Sequence, residues 1–123
     1  MKLSIAVITR NEEQRLPACL RSVAFADDIL VVDSGSEDRT VQVAQSFGAR
    51  VLIHPWQGYS EQKQFAVDQC RYDWVLILDA DERVPEETIS EITGVLAHSA
   101  HSFAAFSFRR KNYLHGRWIR HCK

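Results

Sequence analysis

The sequence is poor in the features that would commit it to a membrane span, a disulfide framework or a metal cage. No apolar stretch approaches the roughly 18 residues needed to cross a bilayer. The first strand-like run turns polar too quickly for a secretory leader. Cysteines number only three, at Cys19, Cys70 and Cys122; they are widely separated, odd in number and at no zinc spacing. That pattern points to a reducing compartment, with Cys19 and Cys70 read as small core residues on helices. His54, His98, His101, His115 and His121 also lack metal spacing, and His98 and His101 read as solvated residues at a frayed helix end. There is no G-x-S-x-G, no G-x-x-x-x-G-K-[ST] and no G-x-G-x-x-G, so hydrolase, P-loop and dinucleotide readings have no support. Repeats, low-complexity segments and linkers are missing too.

What is present fits one small domain. The chain has 123 residues, of which 46% are hydrophobic, enough for a core and too many for disorder. A formal net charge of −1 gives no general attraction to nucleic acid. Charge is unevenly placed, however. No Asp or Glu follows Glu91, while Arg109, Arg110, Lys111, Arg117, Arg120 and Lys123 crowd the last stretch. Such a basic segment is either a solvated face or a contact for an anionic membrane surface or acceptor. The expected location is cytoplasmic, with peripheral contact at the inner face of the membrane through this stretch.

Strand and helix alternate along the chain. Residues 3–9 are apolar and β-branched and read as a strand; 11–13 then place a capping side chain and negative charge where a helix begins. Pro17 moves the regular helix to about 15–17 onward. A second buried strand at 29–32 ends at Asp33, and Ser36 is expected to cap a helix carrying Glu37 and Asp38 in its first turn and ending at Gly48. Residues 50–54 form a third strand. A helix follows Gly58 and Ser60, with Phe65, Ala66, Gln69 and Cys70 on one face. Residues 74–78 form the fourth strand, and Pro85 opens a helix lined by Ile89, Ile92, Val95 and Leu96. Residues 103–108 and 118–120 alternate like strands around a turn at His115-Gly116. Near-continuous apolar strands between amphipathic helices predict an α/β fold, a mostly parallel sheet covered on both faces. In such sheets ligands collect at the carboxyl ends of strands.

Three polar clusters fall at those ends. Asp79-Ala80-Asp81-Glu82 follows the run 74–78, and paired carboxylates at the end of a buried strand are hard to explain as packing. Hard oxygen ligands suit Mg²⁺ or Mn²⁺, above all when a diphosphate completes the shell. Asp81, further out, is the expected direct ligand; Asp79 is expected at ribose or at a water of the cation's shell. Glu82 supports the pair or faces solvent. The bland alternative is a cap ahead of Pro85. Asp33 can accept a hydrogen bond from a base N–H, such as N3–H of uracil; a turn and cap explain it equally well. Thr9, Asn11 and Glu12 touch base or ribose, or simply start a helix, and Arg10 has no assignable partner. Lys63, in the first turn of its helix, either meets an anion or faces solvent. Trp56, Tyr59, Trp74 and Trp118 are expected in the core.

The segments 8–13 (I-T-R-N-E-E), 31–40 (V-V-D-S-G-S-E-D-R-T) and 77–82 (I-L-D-A-D-E) together resemble family 2 glycosyltransferases of the GT-A fold. The D-S-G-S-x-D-x-T and D-A-D-E-R-V forms are similar to the branch that builds the lipopolysaccharide core. The resemblance implies an inverting transfer from a nucleotide-activated sugar, UDP-linked, to a saccharide or lipid-linked acceptor, with Mg²⁺ or Mn²⁺. It implies that Thr9, Asn11 and Glu12 flank the nucleoside, that Asp33 reads the base, that Lys63 approaches the diphosphate, and that Asp79, Ala80 and Asp81 form the D-x-D site. The family's general base, a carboxylate, has no match in this sequence. Residues 1–123 are therefore expected to be a single nucleotide-sugar-binding domain, the amino-terminal part of a longer GT-A domain. The alternative is a nucleotide-sugar-binding fragment without its own catalysis.

Overall fold

The computed structural model describes residues 2–98 and 112–115. Five strands form one parallel sheet: β1 (Leu3–Thr9), β2 (Asp28–Asp33), β3 (Arg50–Ile53), β4 (Trp74–Asp79) and β5 (Asn112–His115). Four helices alternate with the first four strands: α1 (Leu16–Ser22), α2 (Thr40–Ser46), α3 (Tyr59–Gln69) and α4 (Glu86–His98). The strand order is β3-β2-β1-β4-β5, and every pairing is parallel.

The sheet is buried on both faces, which is why its strands lack polar alternation. Ile5, Val7, Val31, Leu76 and Leu78 point to one face, where α1, α2 and α4 bring Leu16, Leu20, Ala44, Ile92 and Leu96. Ala6, Leu30, Val32, Val75 and Ile77 point to the other, covered by Ala66, Val67 and Cys70 from α3 and the turn after it. Successive strand residues alternate between the two layers. Cys19 and Cys70 lie in the core, as expected.

The amino ends of the strands are tied by one buried carboxylate. Asp28 accepts hydrogen bonds from Ser4 Oγ, from Arg50 Nε and Nη2, and from the Arg71 amide. This joins β1, β2, β3 and the turn before β4, and it leaves the carboxyl ends free to carry loops.

Helix α1 starts at Leu16 with Pro17 in its first turn, as the position of Pro17 predicts, so Glu12 and Glu13 precede it. Other features differ from the sequence reading for local reasons. Helix α2 starts at Thr40, and Ser36 does not cap it. Ser36 instead bonds back to Asp33, while Asp38 accepts from the Thr40 amide at 2.9 Å. Gln69 is exposed, and the inner face of α3 holds Gln62 in its place. Trp56 and Tyr59 are also exposed, against expectation, whereas Trp74 is buried. His115 belongs to β5 and not to a turn, and Gly116, the other residue of the expected turn, lies outside the described residues. The expected strands at 103–108 and 118–120, Trp118, and the basic residues from Arg109 to Lys111 and beyond Gly116 lie outside the described residues. No helix among the described residues is long and apolar enough to cross a membrane.

Candidate functional site

The strand register fixes the layout of the rim. Thr9 pairs with Asp33, and Ile8 pairs with Asp79, so β1, β2 and β4 end side by side. With β1 between them, the ends of β2 and β4 stand about 10 Å apart. The polar residues there form two groups, not one.

The first group joins the loops after β1 and β2. Asp33 is fully buried, and both carboxylate oxygens accept hydrogen bonds. Oδ1 takes Thr9 Oγ1 at 2.7 Å and Ser36 Oγ at 2.5 Å. Oδ2 takes the Gly35 and Ser36 amides at 2.9 and 2.7 Å. Burial alone would raise the Asp33 pKa; the Ser36, Thr9 and Gly35 donors outweigh it and hold the carboxyl below its usual range. Gly35 permits this turn through a φ of 106°. Asn11, the one non-glycine at positive φ among the described residues (53°), bridges to the second loop. Its amide donates to Ser36 Oγ and its Oδ1 accepts from the Glu37 amide, both at 2.8 Å. The Glu12 amide donates to Thr40 Oγ1, and the Glu12 carboxylate pairs with Arg15. Arg10 is exposed.

The second group surrounds the end of β4. Glu82 closes this loop on itself: its amide donates to the Asp79 carbonyl at 3.0 Å, and its Oε1 accepts from the Asp79 amide at 2.8 Å. The Asp79 carboxylate accepts a hydrogen bond from the Tyr59 hydroxyl at Oδ1. Ala80 is buried and anchors the turn in the core. Asp81 is exposed, and its carboxylate accepts no hydrogen bond from the described residues. Burial, the bond to Asp79 and the charges of Asp79, Glu82 and Asp81 all push the Tyr59 phenol pKa upward. Burial and the same three carboxylates raise the Cys19 thiol to about 12. Lys63 lies half-buried with Nζ 4.4 Å from the Tyr59 ring centroid.

Alternation along the strands explains the separation. Thr9 and Asp33 continue the layer of Val7 and Val31, while Asp79 continues the layer of Ile77, toward α3. The Asp33 carboxylate is bonded to Thr9, Gly35 and Ser36, and the Asp79 carboxylate to Tyr59, so no hydrogen-bond partner is shared between them among the described residues. Asp79 meets Tyr59 instead, and the Tyr59 ring carries Lys63.

Sequence reasoning missed Tyr59, and it missed the buried Gln62. Gln62 Nε2 donates to the His54 carbonyl, and its Oε1 faces His54 Nδ1 at 2.8 Å, which clamps the loop between β3 and α3. The usable signal was a glutamine one turn into a helix, at a position its apolar neighbours make inward-facing.

No three His, Cys, Asp or Glu side chains gather at metal-binding range among the described residues. Two hard carboxylates one residue apart nevertheless suit Mg²⁺ or Mn²⁺ when phosphate oxygens and water supply the other ligands. Asp81 and Asp79 would hold such an ion.

The glycosyl transferase family 2 profile matches residues 4–122. An uncharacterized glycosyltransferase of Rickettsia typhi is 41% identical over 110 residues, covering 88% of this chain and 38% of that protein. The lipopolysaccharide core biosynthesis glycosyltransferase LpsC of Rhizobium meliloti is 36% identical over 121 residues, 94% of this chain and 44% of that one. Glucosyl-3-phosphoglycerate synthase from Mycobacterium tuberculosis, solved in complex with uridine diphosphate, aligns with a TM-score of 0.65 at 26% identity, over 77% of this chain and 39% of that one. The chain spans less than half the length of these relatives.

Proposed function

The chain belongs to glycosyl transferase family 2, and from that premise we propose that the carboxyl rim of its sheet binds the nucleotide-diphosphate sugar of an inverting transfer reaction. The donor is a UDP-sugar, and the acceptor is a saccharide or lipid-linked sugar of the lipopolysaccharide-core kind. Residues 1–123 serve as a single donor-binding domain. The observation that carries this reading is the end of β4, where Asp79 is tied to Tyr59 and Asp81 stands exposed beside it. The likeness to a UDP-bound structure supports the donor, and the likeness to LpsC supports the acceptor class.

A bound Mg²⁺ or Mn²⁺ neutralises the negative charge that grows on a departing diphosphate. Asp81 would be its direct ligand, and Asp79 would orient ribose or a water of its shell. Lys63 is a cation without an ion pair to the described carboxylates and adds a second positive charge for the diphosphate. Thr9, Asn11 and Glu12 frame the nucleoside through the loop they stitch to β2. Asp33 reaches a base N–H only when Ser36 Oγ releases Oδ1; otherwise it acts by holding that loop.

Calorimetric titration of UDP, with and without Mn²⁺, tests the proposal. Binding is expected to strengthen with Mn²⁺ in the wild type, and Asp81→Ala is expected to abolish that gain. Equal heats for the two proteins would overturn the assignment of Asp81.

A second reading is donor binding without turnover. An inverting displacement needs a base for the acceptor hydroxyl, and no carboxylate here matches the family's base. Incubation with UDP-glucose and a core oligosaccharide separates the two readings, since any transferred glucose eliminates the second.

A further inference from the structure

The loop at the end of β4 divides its work among three residues. Glu82 holds the Asp79 backbone at both its amide and its carbonyl. Tyr59 reaches from the first residue of α3 to Oδ1 of the Asp79 side chain. Asp81 is left open. Tyr59 is 45% exposed, so its ring contributes little to the core, and this hydroxyl contact is its main polar attachment. The other face of its role concerns Lys63. Three carboxylates act electrically on Tyr59, yet the Lys63 ammonium 4.4 Å from its ring centroid pairs with none of them. Tyr59 thus touches Asp79 through its hydroxyl and Lys63 through its ring, which brings an ammonium and a carboxylate to one side chain without an ion pair between them. The ring offers the ammonium a cation–π contact instead. Trp56, 5.8 Å from Tyr59 between centroids, supports the ring from the loop side.

We propose that Tyr59 is the positioning residue of the acidic site: its hydroxyl fixes the Asp79 carboxylate, and its ring keeps the Lys63 ammonium off Asp79 and Asp81. The role of these groups in donor binding rests on the reading above; their arrangement does not. Tyr59 does not touch the reacting atoms in this scheme. It sets which oxygen of Asp79 is presented, and it preserves positive and negative charge side by side where a diphosphate and its cation need both.

The experiment uses the full chain, with Tyr59→Phe to remove the hydroxyl alone and Tyr59→Leu to remove the ring. Three-bond couplings in the nucleotide-free, metal-free protein report the Asp79 χ1 angle. One rotamer is expected in the wild type and averaging in Tyr59→Phe. The Lys63 ammonium ¹⁵N signal is expected to respond to Asp81→Asn in the Tyr59→Leu background and not in the Tyr59 background. In UDP titrations, Tyr59→Phe is expected to lose about tenfold in affinity with Mn²⁺, the scale of one hydrogen bond to a charged group. Its affinity without Mn²⁺ should not change, a split that a merely structural role would not produce. A single Asp79 rotamer in Tyr59→Phe, or an unaltered Mn²⁺-dependent affinity, overturns the proposal. A wild type that binds no UDP overturns the donor-binding reading instead, and the couplings and the lysine signal still decide whether Tyr59 holds Asp79 and shields Lys63.

Discussion

Asp33 and Asp81 are both carboxylates at strand ends, yet their surroundings give them opposite capacities. Asp33 is enclosed and accepts from four donors, so its work is internal. Replacing it with Ala removes the acceptor and leaves Thr9, Gly35 and Ser36 donors without their partner. Loss of about 2–4 kcal/mol is expected in urea denaturation, the sum of a few buried hydrogen bonds with partial relaxation. Asp81 is exposed and carries no such load, so Asp81→Ala should leave the urea midpoint nearly unchanged while removing the Mn²⁺ gain in UDP binding. Cys19 illustrates a third case. It is fully buried under the D-x-D turn with its thiol pushed up to about 12. Site-resolved labelling by mass spectrometry should find it inert to a thiol reagent at neutral pH until the chain unfolds. Rapid labelling in the native state would contradict the burial.

The connection between β3 and α3 is the element that turns the sheet into a candidate site. His54 stacks on Phe65 with centroids 3.8 Å apart, and Gln62 clamps the His54 backbone and ring. Gly58 then turns the chain with φ 111° and ψ 157°, a region open to glycine and strained for other residues. No neighbouring atom lies within 4 Å of where a Cβ would stand, so the obstacle is the backbone angle and not space. Gly58→Ala should therefore cost about 1–3 kcal/mol in stability. Because Tyr59 is the next residue, the same change should weaken Mn²⁺-dependent UDP binding beyond what lost stability explains. Full binding at temperatures well below the melting midpoint would separate the backbone turn from the aim of Tyr59.

At the level of the whole molecule, acid stability follows from the two buried carboxylates at opposite ends of the sheet. Burial alone would raise the Asp28 pKa, but Arg50, the Arg71 amide and Ser4 together bring it below the ordinary 3.8. Asp33 is lowered in the same sense. The unfolded chain therefore takes up protons before the folded chain does as pH falls. The stability these groups supply is complete above the ordinary carboxylate range and is lost as pH drops through 3.8 toward the lower folded values. The urea midpoint should be flat between about pH 7 and 5 and fall below about pH 4. Asp28→Asn should flatten that fall and lower the plateau, since Arg50 loses its charged partner. A midpoint that rises on acidification would reverse the sign and exclude both carboxylates as the cause.

The amino-acid order alone determined the alternation of strands and helices, the parallel sheet and the positions of the three polar clusters. Continuous apolar runs such as 74–78 can be buried only when both faces are covered, and Asp33 and Asp79 end those runs wherever the sheet is built. The place of Asp79 and Asp81 at the end of β4 was legible for the same reason. Tertiary structure decided the grouping. Register places Asp33 beside Thr9 and Asp79 beside Ile8, and the one-residue offset sends the two carboxylates into different layers. Ser36 reads locally as a helix cap, but its hydroxyl donates to Asp33 three residues back and accepts from the amide of Asn11, which strand pairing brings near. Tyr59 reads as core because aromatic residues usually are, yet its hydroxyl finds a partner twenty residues away only after α3 packs across β4. Hydrogen bonds between distant segments depend on distance in space, and chain order does not encode that distance until the sheet has closed.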